Sequence, residues 1–173
     1  MRRFIPPAVQ KEKELRFEIA LAQIVSVEEK AKAERAIAAQ VANLKQRLQG
    51  TVQEYASGAL NDQLSTTPSG LKLLIVQKGQ GKMVQKEETV QVNYFGFLAN
   101  GVSFDNSFER RQPMGFPAGV GQMRPGFDEG VLLLPHGSKA YLFIPSKLGY
   151  GEAEAGNGLI PANSELIFYV EIL

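Results

Sequence analysis

The feature that most limits how this chain can fold is a change of residue pattern near residue 65. Before that point lie only two of the 17 Gly and two of the 9 Pro, and apolar residues recur at helical spacing. After it, short apolar runs with a period of two are separated by Gly and Pro. One element cannot follow both periods. We therefore predict a helical arm over residues 1–64, a linker over 65–70 and a separate domain over 71–173.

The arm carries an apolar stripe whose members follow one another at intervals of four, three, four and seven residues: Ile37, Val41, Leu44, Leu48 and Tyr55. A capping box at Ser26–Glu29 predicts that a second helix starts there. If Gly50 does not break it, this second helix extends from Val27 to Gly58. A long helix alone buries little, so its stripe needs a cover. That cover would be either the arm itself, folded back as a helical hairpin, or a second copy of the chain in a homodimer.

The residue pattern of the domain predicts an antiparallel sheet with one short helix. Strands are predicted over residues 71–76, 89–98, 102–105, 138–144 and 165–173. Asn100-Gly101 is a strong hairpin signal between two of them. The helix is expected over residues 125–133, with Pro125 at its start and acidic residues in its first turn. Between 104 and 127 the chain is rich in Gly and Pro, which predicts an irregular wall. The fold class that follows is α+β.

Composition excludes several kinds of chemistry. The chain has no Cys, and its one His, His136, lies in a Pro-His-Gly turn. We therefore expect no thiol nucleophile, no metal site and no cofactor. The net charge of +1 gives no reason to expect binding to nucleic acid or to an anionic membrane. We also expect no signal peptide and no membrane span. This predicts a cytoplasmic protein from the sequence as given, or a periplasmic or cell-envelope protein if Met1 begins a trimmed sequence.

What remains is a group of aromatic residues with Asp105 and Arg110 among them, which is typical of an apolar ligand pocket. From about Ser69 onward, successive motifs resemble those of FKBP-type peptidyl-prolyl cis-trans isomerases: Val92-Asn93-Tyr94-Phe95-Gly96, Phe104-Asp105-Asn106-Ser107, Pro125-Gly126-Phe127-Asp128-Glu129-Gly130, Gly149-Tyr150-Gly151 and Leu166-Ile167-Phe168. The resemblance implies an FKBP-like twisted antiparallel β-sheet wrapped around one short helix. It also implies catalysis of rotation about X-Pro peptide bonds.

The resemblance implies a role for each matching position. Catalytic roles fall to Tyr94, Phe104, Asp105 and Tyr150. Substrate-binding roles fall to Arg110, Met114, Phe116, Met123, Arg124, Phe127, Leu159, Ile160 and Phe168. In this scheme Phe127 forms the floor of a proline pocket, and the Arg124 N–H and the Tyr150 hydroxyl bind substrate carbonyls. The chain departs from the family pattern at three positions, with Phe127 for the usual Trp, Met114 for Phe, and Arg124 for Ile or Val.

Two functional classes follow. The first is an isomerase that acts on proline-containing polypeptide clients and is inhibited by macrolides such as rapamycin, with chaperone activity from the arm. The second is a scaffold protein that holds a partner through the pocket or the arm. The arm resembles the dimerising arm of bacterial members of the macrophage infectivity potentiator type. It is also similar to the linker helix of bacterial chains that join a cyclophilin-type domain to an FKBP domain.

Overall fold

A computed structural model of the protein describes the backbone of residues 7–173 and the side chains of residues 27–173. Residues 1–6 of the predicted arm lie outside the described residues. Two short 3₁₀ turns, Asn61–Gln63 and Ser146–Leu148, accompany the main elements. In chain order these are α1 (Pro7–Ala56), β1 (Ser65–Thr66), β2 (Lys72–Gln77), β3 (Thr89–Leu98), β4 (Ser103–Asn106), β5 (Met114–Pro117), α2 (Pro125–Leu132), β6 (Lys139–Ile144) and β7 (Leu166–Ile172).

The seven strands form one sheet in which every pair is antiparallel. The strand order is β1-β2-β6-β7-β3-β4, and β5 also pairs with β3. One edge of β3 therefore changes partner along its length, from β5 at its start to β4 at its end. Ser107 fills the gap between these partners. Its N–H donates to the Tyr94 carbonyl at 3.0 Å, and its hydroxyl accepts from the Tyr94 N–H at 2.9 Å. These two hydrogen bonds fix the backbone of Tyr94 at the point where the partner of β3 changes from β5 to β4.

Helix α2 packs closely against β6. A Cβ atom added at Gly126 would lie 2.5 Å from Ile144, and one added at Gly130 would lie 2.6 Å from Leu142. Two glycines four residues apart share one side of a helix, so α2 can approach the strand where larger residues would be held off. The apolar residues between helix and sheet, including fully buried Val131, form the main core of the domain.

The last turns of α1 cover the other face of the sheet. Leu48 and Val52 are buried, and the Tyr55 ring stacks on Phe143 with centroids 3.9 Å apart. The large side chains buried on this face are Phe95, Phe97, Tyr141, Phe143, Ile167 and Tyr169. Because side chains alternate across a strand, these residues interleave with those that face α2. The sheet is thus apolar on both faces, and both faces are covered.

The chain forms two compact units, one that ends at Ala42 and one that runs from Asn43 to Leu173. We placed the border between arm and domain at residues 65–70, whereas the compact unit extends back to Asn43. The predicted stripe explains the difference, because Leu48 and Tyr55 find their cover on the sheet of the same chain. Farther up the described helix, Val27 and Ile37 are exposed.

The fold class is as predicted, while three local features differ from expectation. Helix α1 runs through Ser26 without a break, so the helix start predicted there is wrong. A capping residue needs a non-helical backbone, and here both neighbours are helical. Strand β1 forms inside the expected linker by pairing with β2, the next strand in the chain, and β5 forms inside the expected irregular wall by pairing with the more distant β3. Among the described helices, none combines the length and the apolar character needed to cross a bilayer.

Candidate active site

A cavity of about 340 Å³ opens where β3, β4, β5, β7 and the start of α2 meet two loops. This volume falls within the usual range for small-molecule sites. Its lining consists of Tyr94, Phe104, Asp105, Met114, Met123, Arg124, Phe127, Tyr150, Gly156, Leu159, Ile160 and Phe168. Every predicted site residue except Arg110 and Phe116 is among them. Gly156 is the lining residue that the sequence did not point to.

The interior of the cavity is a cluster of aromatic rings around Phe127, which is only 2% exposed. Phe168 meets it edge-on at a centroid distance of 5.0 Å, and Tyr94 does so at 6.3 Å. We expected Phe116 to line the pocket, but it packs against Phe127 from outside the lining, at 5.8 Å. It shares a strand face with Met114, which does line the cavity. The result is a rigid apolar surface suited to a ring such as that of proline.

Gly96 makes one wall of this cluster possible. It lies in β3 opposite Phe168 of β7. A Cβ atom at this position would lie 2.7 Å from two ring atoms of Phe104 and 3.0 Å from Phe168. The two rings therefore meet over a position that has no side chain, edge to face at 5.5 Å.

Asp105 is held in place by two neighbours. The Tyr94 hydroxyl donates to one carboxylate oxygen at 2.5 Å, and the Arg110 guanidinium donates to the other at 2.5 Å. Arg110 also donates to the Tyr94 hydroxyl oxygen at 2.5 Å, which closes the triangle. Burial, together with the hydrogen bond to Asp105, raises the pKa of Tyr94 to about 12. The hydrogen bond to Asp105 raises the pKa of Arg110. Tyr94 is therefore a protonated donor near neutral pH, and Asp105 serves as a fixed negative charge.

Arg124 and Tyr150 form a second polar pair on the cavity wall. The Arg124 guanidinium carbon lies 4.6 Å from the centroid of the Tyr150 ring, a cation–π contact. Pro125 begins α2, so Arg124 is held in an extended conformation just before the helix. Within residues 27–173, no group accepts a hydrogen bond from the Arg124 N–H or from the Tyr150 hydroxyl. Both donors are thus available to a ligand.

The loop from Gly149 to Ile160 supplies the rest of the lining. Ala155 and Ile160 pair through two backbone hydrogen bonds of 2.9 and 3.0 Å. Leu159 is 59% exposed, whereas Ile160 is buried. Gly156, which directly follows Ala155, lies in the left-handed region with a φ of 59°. A Gly-Asn-Gly turn in the sequence is the signal that could have pointed to it.

A buried carboxylate fixes the loop that carries Met123. Asp128 is 6% exposed and accepts hydrogen bonds from the N–H groups of Gly119 at 2.6 Å and Gly121 at 2.8 Å. From the sequence we assigned Asp128 only a favourable interaction with the helix dipole. Its position shows a further role, because it holds two turns of the cavity wall against the start of α2.

Comparison with known proteins identifies the compact unit. Residues 80–173 match the family model described as FKBP-type peptidyl-prolyl cis-trans isomerase. The chain is 43% identical over 122 residues to the FKBP-type peptidyl-prolyl cis-trans isomerase FkpA of Aeromonas hydrophila. It is also 46% identical over 104 residues to an FK506-binding protein of Neisseria meningitidis serogroup B.

The coverage of these matches differs. The alignment with the Aeromonas protein covers 70% of this chain but 44% of that protein, and the alignment with the Neisseria protein covers 60% of this chain and 94% of that one. The crystal structure of FkpA from Escherichia coli matches over 99% of this chain and 74% of that chain. The TM-score is 0.62 and the sequence identity 29%.

Proposed function

This chain belongs to the FKBP-type peptidyl-prolyl cis-trans isomerases, and on that basis we propose that its aromatic cavity binds the proline of X-Pro segments and accelerates rotation about the preceding peptide bond. The observation that carries this proposal is the ring cluster around Phe127, with Asp105 fixed beside it. Proline-containing polypeptide clients are the substrates, and macrolides such as rapamycin would compete for the same cavity.

The mechanism follows from the resonance of the amide. Planarity sets a barrier of about 18–20 kcal/mol, and the uncatalysed exchange takes tens of seconds or more. When the bond twists, resonance is lost and the carbonyl becomes less polar. An apolar cavity therefore destabilises the planar form relative to the twisted form. Catalysis requires only that the twisted amide is bound more tightly than the planar one.

The polar groups of the site would orient the substrate without exchanging protons. The N–H of Arg124 and the hydroxyl of Tyr150 would each donate to a substrate carbonyl, and Phe127 would support the prolyl ring. Both oxygens of Asp105 are already engaged by Tyr94 and Arg110. Asp105 would accordingly act through its fixed charge and not as a base.

Exchange kinetics on short X-Pro peptides, followed by NMR or by a coupled protease, test this proposal on the full chain. We expect rapid exchange that rapamycin inhibits. Exchange at the uncatalysed rate by a correctly folded protein would contradict it. The scaffold function would then lead, with the cavity or α1 holding a partner.

We further propose that α1 pairs with a second copy of the chain. Ile37 of the predicted stripe is 36% exposed, Val27 farther up α1 is 64% exposed, and within the described part of the arm no residue buries either of them. A homodimer would remove both side chains from water. Two cavities in one assembly would also let it hold a single unfolded client at two prolines, which is the basis of the chaperone activity that we propose for the arm.

A further inference from the structure

The cavity wall carries one positive charge that nothing in the described domain neutralises. Of the two arginines near the site, Arg110 is paired with Asp105 at 2.5 Å. The guanidinium carbon of Arg124 lies 4.6 Å from the centroid of the Tyr150 ring, and no carboxylate of residues 27–173 lies within ion-pair distance of this side chain. The residue is exposed, so its guanidinium faces the solvent beside the cavity.

The contact with Tyr150 gives this charge a preferred position at the cavity wall. A cation–π contact engages the charge of a guanidinium without using its N–H donors, and within residues 27–173 no group accepts a hydrogen bond from the Arg124 side chain, so these donors remain free. A carboxylate accepts two such hydrogen bonds at once, and these charge-assisted bonds are stronger than neutral ones. The ligand chemistry that this arrangement selects is thus an acidic side chain.

The place of Arg124 fixes where that acidic side chain must be. Its own N–H is one of the two donors proposed to hold a substrate carbonyl, and Phe127 lies one helical turn farther along the chain. A substrate residue held at that N–H passes directly beside the Arg124 side chain. An acidic residue at that point is adjacent in sequence to the proline.

We propose that Arg124 makes this isomerase prefer X-Pro segments that carry Asp or Glu immediately before or immediately after the proline. This inference rests on the isomerase function proposed above. In the free protein the Arg124 side chain contacts the Tyr150 ring, and it forms no ion pair with the described residues. Its charge is therefore available for substrate selection.

Peptides that differ only in charge test the proposal. Two series place Glu, Gln or Lys either before or after the proline, and kcat/KM is measured with the full chain. In at least one series we expect the Glu peptide to exceed the Lys peptide by about three- to tenfold at low ionic strength, in line with exposed charge pairs. The ratio should approach one in about 1 M salt, where the screening length is about 3 Å.

Variants at Arg124 separate charge from shape. Arg124→Gln should bring the Glu-to-Lys ratio close to one, Arg124→Glu should invert it, and Arg124→Lys should retain part of it. Arg111→Gln is the matched control: it removes the same charge from an exposed position outside the cavity lining, and it should keep the parent ratio. Thermal unfolding of each variant verifies that it is folded.

Three results would overturn the inference. One is an equal kcat/KM for Glu and Lys peptides in both series with the parent protein. A second is a parent-like preference in Arg124→Gln. The third is a uniform loss across all peptides in that variant, which would show that Arg124 only positions Tyr150. Absence of turnover with every peptide would instead refute the proposed isomerase function.

Discussion

At the scale of single residues, the site is a hydrogen-bonded triangle beside a ring cluster. Tyr94, Asp105 and Arg110 satisfy one another, with three contacts of 2.5 Å. Phe127 contributes only its apolar surface. In the proposed mechanism these two parts would stabilise the twisted amide by different means, so substitutions in them should lower kcat/KM by different factors.

We expect Phe127→Ala to lower kcat/KM more than Asp105→Ala or Tyr150→Phe does. Removal of the ring opens the apolar cavity, and about 3 kcal/mol of lost contact corresponds to about a hundredfold. Each polar substitution removes one interaction and should cost about tenfold or less. The measurement is peptide exchange at a temperature where every variant is folded.

Phe143→Ala is the control for loss of a buried ring. Phe143 is fully buried but lies on the face covered by α1, so this variant should lose stability and keep kcat/KM. Equal activities for the parent, Phe127→Ala, Asp105→Ala and Tyr150→Phe would contradict the assignment of the site.

Gly96→Ala should reduce activity because its Cβ would displace the rings of Phe104 and Phe168. Overpacking of this kind costs about 1–3 kcal/mol. The contrasting change is Gly50→Ala in α1, where a Cβ has open space. It should raise the unfolding free energy by about 0.5–1 kcal/mol and leave exchange kinetics unchanged. Parent-like activity in Gly96→Ala would show that the wall can yield.

The pKa of Tyr94 predicts how stability changes in alkali. Because this pKa rises from 10 to about 12 on folding, the folded state holds the proton more tightly than the unfolded state. The resulting stability is complete below pH 10 and is lost as the pH rises through about 12. Urea unfolding across this range should show a shallower decline in Tyr94→Phe than in the parent. Identical declines would argue against a raised pKa.

At the scale of elements, the sequence predicted those helices and strands whose residue pattern lies within a single segment of the chain. Alternation predicted β2, β3, β4, β6 and β7, and Pro125 marked the start of α2. The two short strands were missed for different reasons: β1 has only two residues, too few to show an alternating pattern, and β5 exists only through pairing with β3, more than 20 residues earlier in the chain. A heptad stripe likewise shows that a helix has an apolar side, but it does not reveal that the sheet of the same chain covers Leu48 and Tyr55.

The site likewise has residues that the sequence predicted and residues that it did not. The resemblance indicated nearly all the residues that line the cavity, since side-chain identity is what a motif records. It missed Gly156, which contributes backbone, and it placed Phe116 in the lining when that ring packs behind Phe127. Depth within a cluster depends on tertiary packing, which the order of residues does not encode.

Truncation tests the role of the last turns of α1. A chain that starts at residue 43 should unfold at the same denaturant concentration as the full protein, whereas one that starts at residue 66 should be destabilised by several kcal/mol. Each buried Leu or Val side chain that is lost contributes about 1.5–3 kcal/mol. The chain that starts at residue 66 also exposes the face of the sheet that α1 covers, which carries Phe95, Phe97 and Phe143, and it should therefore aggregate. Equal stability of the two truncations would refute this role.

At the scale of the whole molecule, a single substitution that introduces a charge on α1 tests the proposed dimer. Ile37→Glu places a carboxylate in the exposed stripe and should yield monomers in size-exclusion chromatography with light scattering. Ala39→Glu, an exposed position on the opposite side of the helix, is the matched control and should remain dimeric. A monomeric parent protein would rule out pairing through α1.

The position of β7 has a consequence for how the protein is made. β7 lies between β6 and β3 at the centre of the sheet, yet it is the last of the seven strands to be synthesised. Until β7 has left the ribosome, β3 and β6 have no partner strand in common, and the sheet cannot complete the two apolar faces against which α1 and α2 pack. We therefore expect a nascent chain that ends before β7 to expose apolar surface and to be prone to aggregation until that strand has been synthesised.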